Sequence, residues 1–255
     1  MTVLILGGTA EARKLAAALD ADGVRVISSL AGRVARPRLP VGEVRIGGFG
    51  GPAALARWLT EHAIDAVVDA THPFAERISA SAAAACASAE IPLLRLERAG
   101  WTASPGDDWR WVGDLTEAAT TIDALGASRV LLTTGRQGLA AFANDDARWY
   151  LIRCVDPPEV ALPAQHEILL DRGPYTLDGE LALIDAHRID VVVTKDSGGP
   201  LTAAKLQAAR ARALPVIVVR RPRRQDVPTV RTTSEAAAWA TRFAHLPRSR
   251  WTPEG

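Results

Sequence analysis

Val3–Leu15, VLILGGTAEARKL, decides the fold. Val3 to Leu6 is apolar without alternation, as a strand buried on both faces requires; Gly7 and Gly8 break it, and Ala12, Leu15, Ala16 and Leu19 then recur on one helical face. A helix starting there aims its free N–H groups and the positive end of its dipole at the carboxyl edge of the strand. An anionic pyrophosphate can sit at that point, and the glycines let the backbone come close to it. GGTAEA is a degenerate form of the G-x-G-x-x-G fingerprint with alanine in the last place. An ordinary strand-to-helix turn would read the same way, so the rest of the chain has to decide.

A chain of 255 residues is long enough for one large α/β domain or for two of about half that length, and two are expected. Thirty basic residues against 29 acidic ones leave a net charge of +1. That balance gives no general attraction to nucleic acid or to an anionic membrane, so anion binding must be local. Cys86 and Cys154 stand far apart without metal-type spacing, which argues for apolar fillers and against a disulfide framework or a metal site. No apolar run approaches the ~20 residues of a membrane span, and no basic-then-apolar leader precedes the first strand. A soluble cytoplasmic protein is the expectation.

After the first helix, VRVISS reads as a second strand ending in Ser28 and Ser29 rather than in an acid. An acid there usually holds the ribose hydroxyl of NAD, whereas small polar residues with a nearby arginine leave room for the 2′-phosphate of NADP. Ser29 and Arg33 therefore point to NADPH, the plainer alternative being a surface loop with an incidental arginine. EVRI, from Glu43, is a short strand followed by Gly47, Gly48, Phe49, Gly50 and Gly51. An aromatic among four glycines either covers a flat ligand ring or plugs its own loop. A helix from Ala53 to His62 leads to the strand of DAVVDATHPFA, whose carboxyl end carries Thr71, His72, Pro73 and Phe74. His72 reads as a proton donor, as a hydrogen-bond donor to cofactor phosphate, or as a turn residue before a proline; binding is preferred. The alanine-rich helix ERISASAAAACASA should turn Ile78, Ala82, Ala85 and Cys86 inward, and IPLLRLER gives a fifth strand.

Between Gly100 and Gly113 the composition shifts, crowding Trp101, Trp109 and Trp111 among prolines, glycines and acids. The domain junction is placed there, giving domains 1–112 and 113–255. The tryptophans serve either substrate or packing. Beyond the junction strands alternate with helices, with strands in RVLLTTG, WYLIRCV, HEILLDRG, DVVVTKDSGG and PVIVV and helices at Leu115–Leu125, Leu177–His187, Thr202–Arg212 and Ser234–His245. That alternation implies parallel βαβ units and an α/β fold of two parallel-sheet domains with a cleft between them, lined by strand ends of both. The polar strand ends are Thr133, Thr134, Gly135 and Arg136; Asp171, Arg172 and Gly173; and Thr194 to Gly199. Lys195 at the last of these is placed to meet a ligand, or else pairs with Asp196. Arg220, Arg221, Arg223 and Arg224 form either a solvated loop or a rim for a polycarboxylate. The tail from Pro247 is expected to fray.

Taken together, ILGGTAEAR (Ile5–Arg13), SLAGR (Ser29–Arg33), GGFGG (Gly47–Gly51), DATHPFA (Asp69–Ala75) and TKDSGG (Thr194–Gly199) resemble the precorrin-6A reductase family of the cobalamin pathway in order and spacing. DATHPFA and KDSGG are the specific parts, and the resemblance covers almost the whole chain. It implies two Rossmann-like domains and an enzyme that uses NADPH to reduce one double bond of the precorrin-6A macrocycle to precorrin-6B. Ala99 departs from the pattern, which leads us to expect a proline there. Gly8, Thr9, Ala10 and Glu11 would meet the phosphates and ribose, Ser29 and Arg33 the 2′-phosphate, and Gly48, Phe49 and Thr71 to Phe74 the cofactor rings. Thr134, Gly135, Arg136, Asp196, Ser197, Gly198 and Gly199 would hold the tetrapyrrole. Lys195 would deliver a proton or anchor a carboxylate. Hydride transfer needs the donor and acceptor carbons within roughly 3–3.5 Å, so positioning should dominate the chemistry. The alternatives are a cobalt-containing substrate, a non-catalytic NADPH sensor, and a tetrapyrrole carrier.

Overall fold

Apolar runs without alternation build two all-parallel sheets in the computed structural model, which describes residues 1–32 and 37–245. Arg33 and the tail from Pro247 lie outside the described residues. The first run of elements is β1 (Thr2–Leu6), α1 (Ala10–Ala21), β2 (Arg25–Leu30), β3 (Glu43–Ile46), α2 (Pro52–Glu61), β4 (Ala66–Asp69), α3 (Glu76–Ala89) and β5 (Leu93–Leu96). The second comprises β6 (Asp108–Val112), α4 (Leu115–Leu125), β7 (Arg129–Leu132), β8 (Trp149–Cys154), β9 (Gln165–Leu170), α5 (Leu177–His187), β10 (Val191–Lys195), α6 (Ala204–Ala211) and β11 (Pro215–Val219). The chain closes with β12 (Thr229–Val230) and α7 (Thr233–Thr241).

Two six-stranded sheets result, β12-β5-β4-β1-β2-β3 and β6-β11-β10-β7-β8-β9. The first has the doubly wound Rossmann order, reversing between β1 and β4; the second repeats it over β7 to β11, reversing between β7 and β10, with β6, its first strand in the chain, added at the edge beside β11. The N-terminal unit spans residues 1–98 and 223–255, and the C-terminal unit 99–222. This moves the junction from the expected 112/113. The reason is β6: its exposed Asp108 and Arg110 alternate with half-buried Trp109 and Trp111, which reads as a shift in composition, yet the segment is an edge strand paired with β11 (Trp109 opposite Val216, Trp111 opposite Val218). Likewise β12 has only two residues, too short to show a period, and pairs with β5. It carries α7 back to the first unit, where α7 had been expected in the second domain.

Alternation along β1 sorts its side chains onto two helical layers. Val3 and Ile5 pack with Leu15 and Leu19 of α1 and with Ala236 and Ala240 of α7, while Leu4 and Leu6 pack with Leu55 and Leu59 of α2 and with Ala82 and Cys86 of α3. All four strand residues are essentially inaccessible, each contributing ~1.5–3 kcal/mol of burial. On α3, Ile78 is only partly buried and Ser79 takes the inward place. Ser79 can afford burial because its hydroxyl donates to a carboxylate, that of Asp69, at 2.6 Å. In the C-terminal unit Leu131, Leu151, Val192 and Val218 face Ile184 of α5 and Leu206 and Ala209 of α6, and Trp101, Trp109 and Trp111 pack against this same cluster. The junction tryptophans are therefore packing residues. No described helix is long and apolar enough to cross a membrane.

Candidate active site

In open α/β sheets ligands bind outside the carboxyl ends of the strands where the order reverses. In the N-terminal unit those ends are Gly7–Thr9 after β1 and Ala70–Phe74 after β4. Gly8 lies at φ +112°, with open space where a Cβ would stand, so the strand end is bare backbone in front of the N-terminus of α1. Thr9 caps that helix, its hydroxyl accepting from Ala12 N (3.1 Å) while donating to the Ala70 carbonyl (2.8 Å). The hydroxyl thus locks the two strand ends together, and its proton is committed within the protein. Glu11 in the first helical turn is engaged by Arg98 (2.7 Å).

A concavity opens beside this turn, lined by Gly7, Gly8, Ala12, Arg13, Ser28 and Arg38 among others. Ser28 is 1 % exposed, and its hydroxyl has no hydrogen-bond partner among the described residues. A buried hydroxyl without a partner costs about 1–3 kcal/mol, so this one is suited to an anionic acceptor. Ser29 is also buried, and its carbonyl accepts from Gly7 N (2.9 Å). Arg33, expected to supply the cation, lies outside the described residues; Arg13 and Arg38 line the concavity instead.

The turn after β4 is built from below. Asp69, 1 % exposed, accepts from the Thr71 hydroxyl at 2.6 Å and from Ser79, with Arg95 3.8 Å away. Burial, with Asp69 adding to it, pushes the neighbouring Cys86 thiol up to about 12, which leaves it an inert apolar filler as expected. From above, Arg224 donates to the His72 carbonyl (2.7 Å) and pairs with Glu97 (3.1 Å). Its side chain is 6 % exposed, so Arg224 belongs neither to a solvated loop nor to a rim but holds the turn. Phe74 N donates to His72 Nδ1 at 3.3 Å, Pro73 is buried, and the two rings lie 5.8 Å apart. Phe49 carries the Arg45 guanidinium on one face at 3.8 Å and meets the edge of Trp58 at 5.3 Å. Arg45 also donates to the carbonyls of Gly47 and Gly48 at 2.6 Å. That arrangement is a loop plug, the second of the two readings given to Phe49.

In the C-terminal unit the ends of β7 and β10 meet at the corresponding point. Thr133 donates to the Val193 carbonyl through its hydroxyl (3.1 Å), and Lys195 Nζ reaches the Gln137 carbonyl at 3.5 Å. Burial lowers the pKa of Lys195, the direction that suits an amine to proton transfer near neutrality. Thr134 is 6 % exposed, and its hydroxyl has no partner among the described residues. Gly135, at φ +74°, has open space in front of it, beside half-buried Arg136. Asp196 accepts from Trp101 N (3.0 Å) and pairs with Arg221 (3.1 Å). A Cβ on Gly198 would strike the Ala99 carbonyl, so glycine is required there. Ser197 Oγ lies 3.3 Å from Thr202 Oγ1, and the Gly199 carbonyl accepts from the Trp101 indole at 3.0 Å.

The family described as precorrin-6x reductase CbiJ/CobK matches residues 2–241 of the chain. The chain belongs to this family. It is 54 % identical over 239 residues to the precorrin-6A reductase of Rhodococcus erythropolis, covering 93 % of this chain and 96 % of that one. To the cobalt-precorrin-6A reductase of Priestia megaterium it is 32 % identical over 234 residues, covering 87 % and 91 %. A solved structure, the CobK precorrin-6A reductase, superposes with a TM-score of 0.90 at 40 % identity and covers 98 % of this chain and all of that one.

The candidate residues gather in the two strand-end clusters just described. Gly8, Thr9, Ala10 and Glu11 share one of them with Ser29 and with Thr71 to Phe74. Thr134, Gly135 and Arg136 share the other with Lys195 to Gly199. Sequence reasoning reaches neither Arg13 nor Arg38, and it leaves Arg224 in a loop or a rim. Arg38 could have been found as the second arginine beyond AGR in RVARPR, whereas Arg224 had no sequence signal separating it from Arg220 and Arg223.

Proposed function

We propose that the chain is an NADPH-dependent precorrin-6A reductase of cobalamin biosynthesis, with the cofactor on the N-terminal unit and the precorrin on the strand ends of the C-terminal unit. The observation that carries the cofactor assignment is the buried Ser28 hydroxyl without a partner, in a concavity that also holds Arg13 and Arg38. A serine and two arginines beside the second strand, with no acid there, suit a 2′-phosphate and disfavour a bare ribose. Gly8 leaves the backbone open for the pyrophosphate at the head of α1. The cofactor supplies the hydride when bound.

The chain's own part is to bind, orient and exclude water. Thr9, Asp69 and Arg224 fix the two turns that would border the nicotinamide. Precorrins carry many carboxylates, which suit Arg136, Lys195 and the backbone N–H groups of Gly198 and Gly199. Lys195 holds a proton at Nζ that it can pass to a carbon next to the reduced one, or it can anchor a carboxylate from the same place. The stronger identity to a precorrin-6A reductase, 54 % against 32 % for the cobalt-precorrin enzyme, supports the metal-free substrate.

Anaerobic incubation of the protein with precorrin-6A or its cobalt complex, and with NADPH or NADH, tests this reading. Loss of nicotinamide absorbance coupled to a change in the corrinoid spectrum is expected with NADPH and the metal-free substrate. Binding of NADPH without oxidation in either mixture would refute the reductase and leave the sensor.

A further inference from the structure

The C-terminal unit contains a buried group of charges that the reaction does not use directly. Lys205, in the first turn of α6, is 3 % exposed, and its neighbours on that helix, Ala204, Leu206, Ala208 and Ala209, are apolar and buried. A methionine would fill this space without the cost of desolvating an amine. What the amine does instead is donate to the Thr202 carbonyl at 2.6 Å, with the Trp101 ring 4.8 Å beneath it. The Trp101 indole in turn donates to the Gly199 carbonyl at 3.0 Å, and its backbone N–H to Asp196 at 3.0 Å. One lysine and one tryptophan thus brace three points of the loop from Asp196 to Thr202. Behind them lies the pair Arg153–Glu180 (2.7 Å), with Arg153 also resting on the Tyr175 ring at 3.9 Å and Tyr175 N donating to the Leu201 carbonyl.

We propose that Lys205 is a positioning residue, which with Trp101 holds the Asp196–Thr202 loop in the shape that receives a substrate carboxylate. The proposal rests on the reading that this loop meets the precorrin. Burial and the charge of Arg153 lower the amine's pKa to about 7, with Glu180 acting against them. A neutral amine is still a donor, so the brace to Thr202 survives loss of the proton. Two glycines with positive φ, Gly198 and Gly199, make the loop the segment most in need of such support, because glycine gives the unbraced backbone many alternatives.

The test uses the full-length protein and compares Lys205→Met, Lys205→Arg and Ser197→Ala. Losing one buried charge-assisted hydrogen bond is worth roughly a tenfold change, so in Lys205→Met amide exchange across residues 197–203 should quicken about tenfold and KM for precorrin-6A should rise about as much. Both kcat and NADPH affinity should stay within about twofold, since the reacting centres are untouched, and Lys205→Arg should recover most of the KM. Unchanged exchange in Lys205→Met overturns the brace. Faster exchange with unchanged KM overturns the positioning role, and the Ser197→Ala result then says which premise failed. A raised KM there leaves the loop as a substrate site, whereas an unchanged one removes it. Should Lys205→Met not fold, Trp101→Phe keeps an aromatic ring under the amine and removes the indole bond to Gly199. It should quicken exchange of the same amides about threefold, and no change would overturn the brace.

Discussion

Replacing Arg153 by methionine should destabilise the C-terminal unit far more than a surface arginine would. Its guanidinium and the Glu180 carboxylate are 2.7 Å apart with side chains 4 % and 1 % exposed, and the second Glu180 oxygen has no partner among the described residues. Breaking a buried pair from one side typically costs about 3–5 kcal/mol because the remaining charge is left uncompensated. Stacking of Arg153 on Tyr175 at 3.9 Å adds ~0.5–1 kcal/mol. Against this, Arg153 depresses the pKa of Lys205; once Arg153 is gone, Lys205 takes up its proton more readily and offsets part of the Glu180 charge. The expected loss is therefore at the lower end, about 3 kcal/mol, or ~10 °C in the melting of a unit of this size. Urea unfolding followed by tryptophan emission reads it, since Trp101, Trp109 and Trp111 pack in this unit's core. The double variant Arg153→Met/Glu180→Leu removes both charges and should recover most of the loss. A single variant within about 1 kcal/mol of wild type, or a double variant no better than the single, would refute this account of the cluster.

Lys205 also makes a signed prediction about pH. Its pKa is about 7 in the folded protein against 10.5 when free, so between these values the unfolded chain binds the extra proton and stability rises with pH, by up to ~1.4 kcal/mol per unit from this group. The stability difference between wild type and Lys205→Met, measured by urea unfolding at pH 7, 8 and 9, should shift by that amount in favour of wild type; a difference flat in pH contradicts it. Arg224→Met frees the turn after β4 and should weaken NADPH binding about three- to tenfold, read by calorimetric titration, and unchanged affinity would show that the turn needs no holding. Arg38→Ala should lower NADPH affinity about tenfold while leaving NADH unaffected, and an equal loss for both would remove Arg38 from the 2′-phosphate.

Much of this was legible in the sequence, because buried parallel strands declare themselves as unbroken apolar runs. Glu43–Ile46, Glu76–Ala89, Leu115–Leu125, Leu177–His187 and Pro215–Val219 fall where the periodicity puts them. Edge strands are where it failed: β6 mixes charges with tryptophans since one face meets water, and β12 is two residues long. Both missed strands occupy the sixth place of their sheets, and with them went the true junction. At the sites, glycine turns and strand-end polar residues were visible because chain position alone brings them to the switch points. What Arg221 and Arg224 do was not, because a run of arginines gives no sign of which member reaches Asp196 and which reaches the His72 carbonyl, over a hundred residues away in the chain in the second case. The Lys205 brace was hidden for the same reason, since a lysine within a helical stretch gives no sign that its amine is buried.

Transfer of label from the cofactor tests the central claim most directly. NADPH deuterated at the nicotinamide C4, on each face in turn, is incubated anaerobically with precorrin-6A and the protein, and the corrinoid product is analysed by mass spectrometry. The account predicts one deuterium in the reduced macrocycle from one of the two labelled forms and none from the other. A reduced product without deuterium from either form would contradict it.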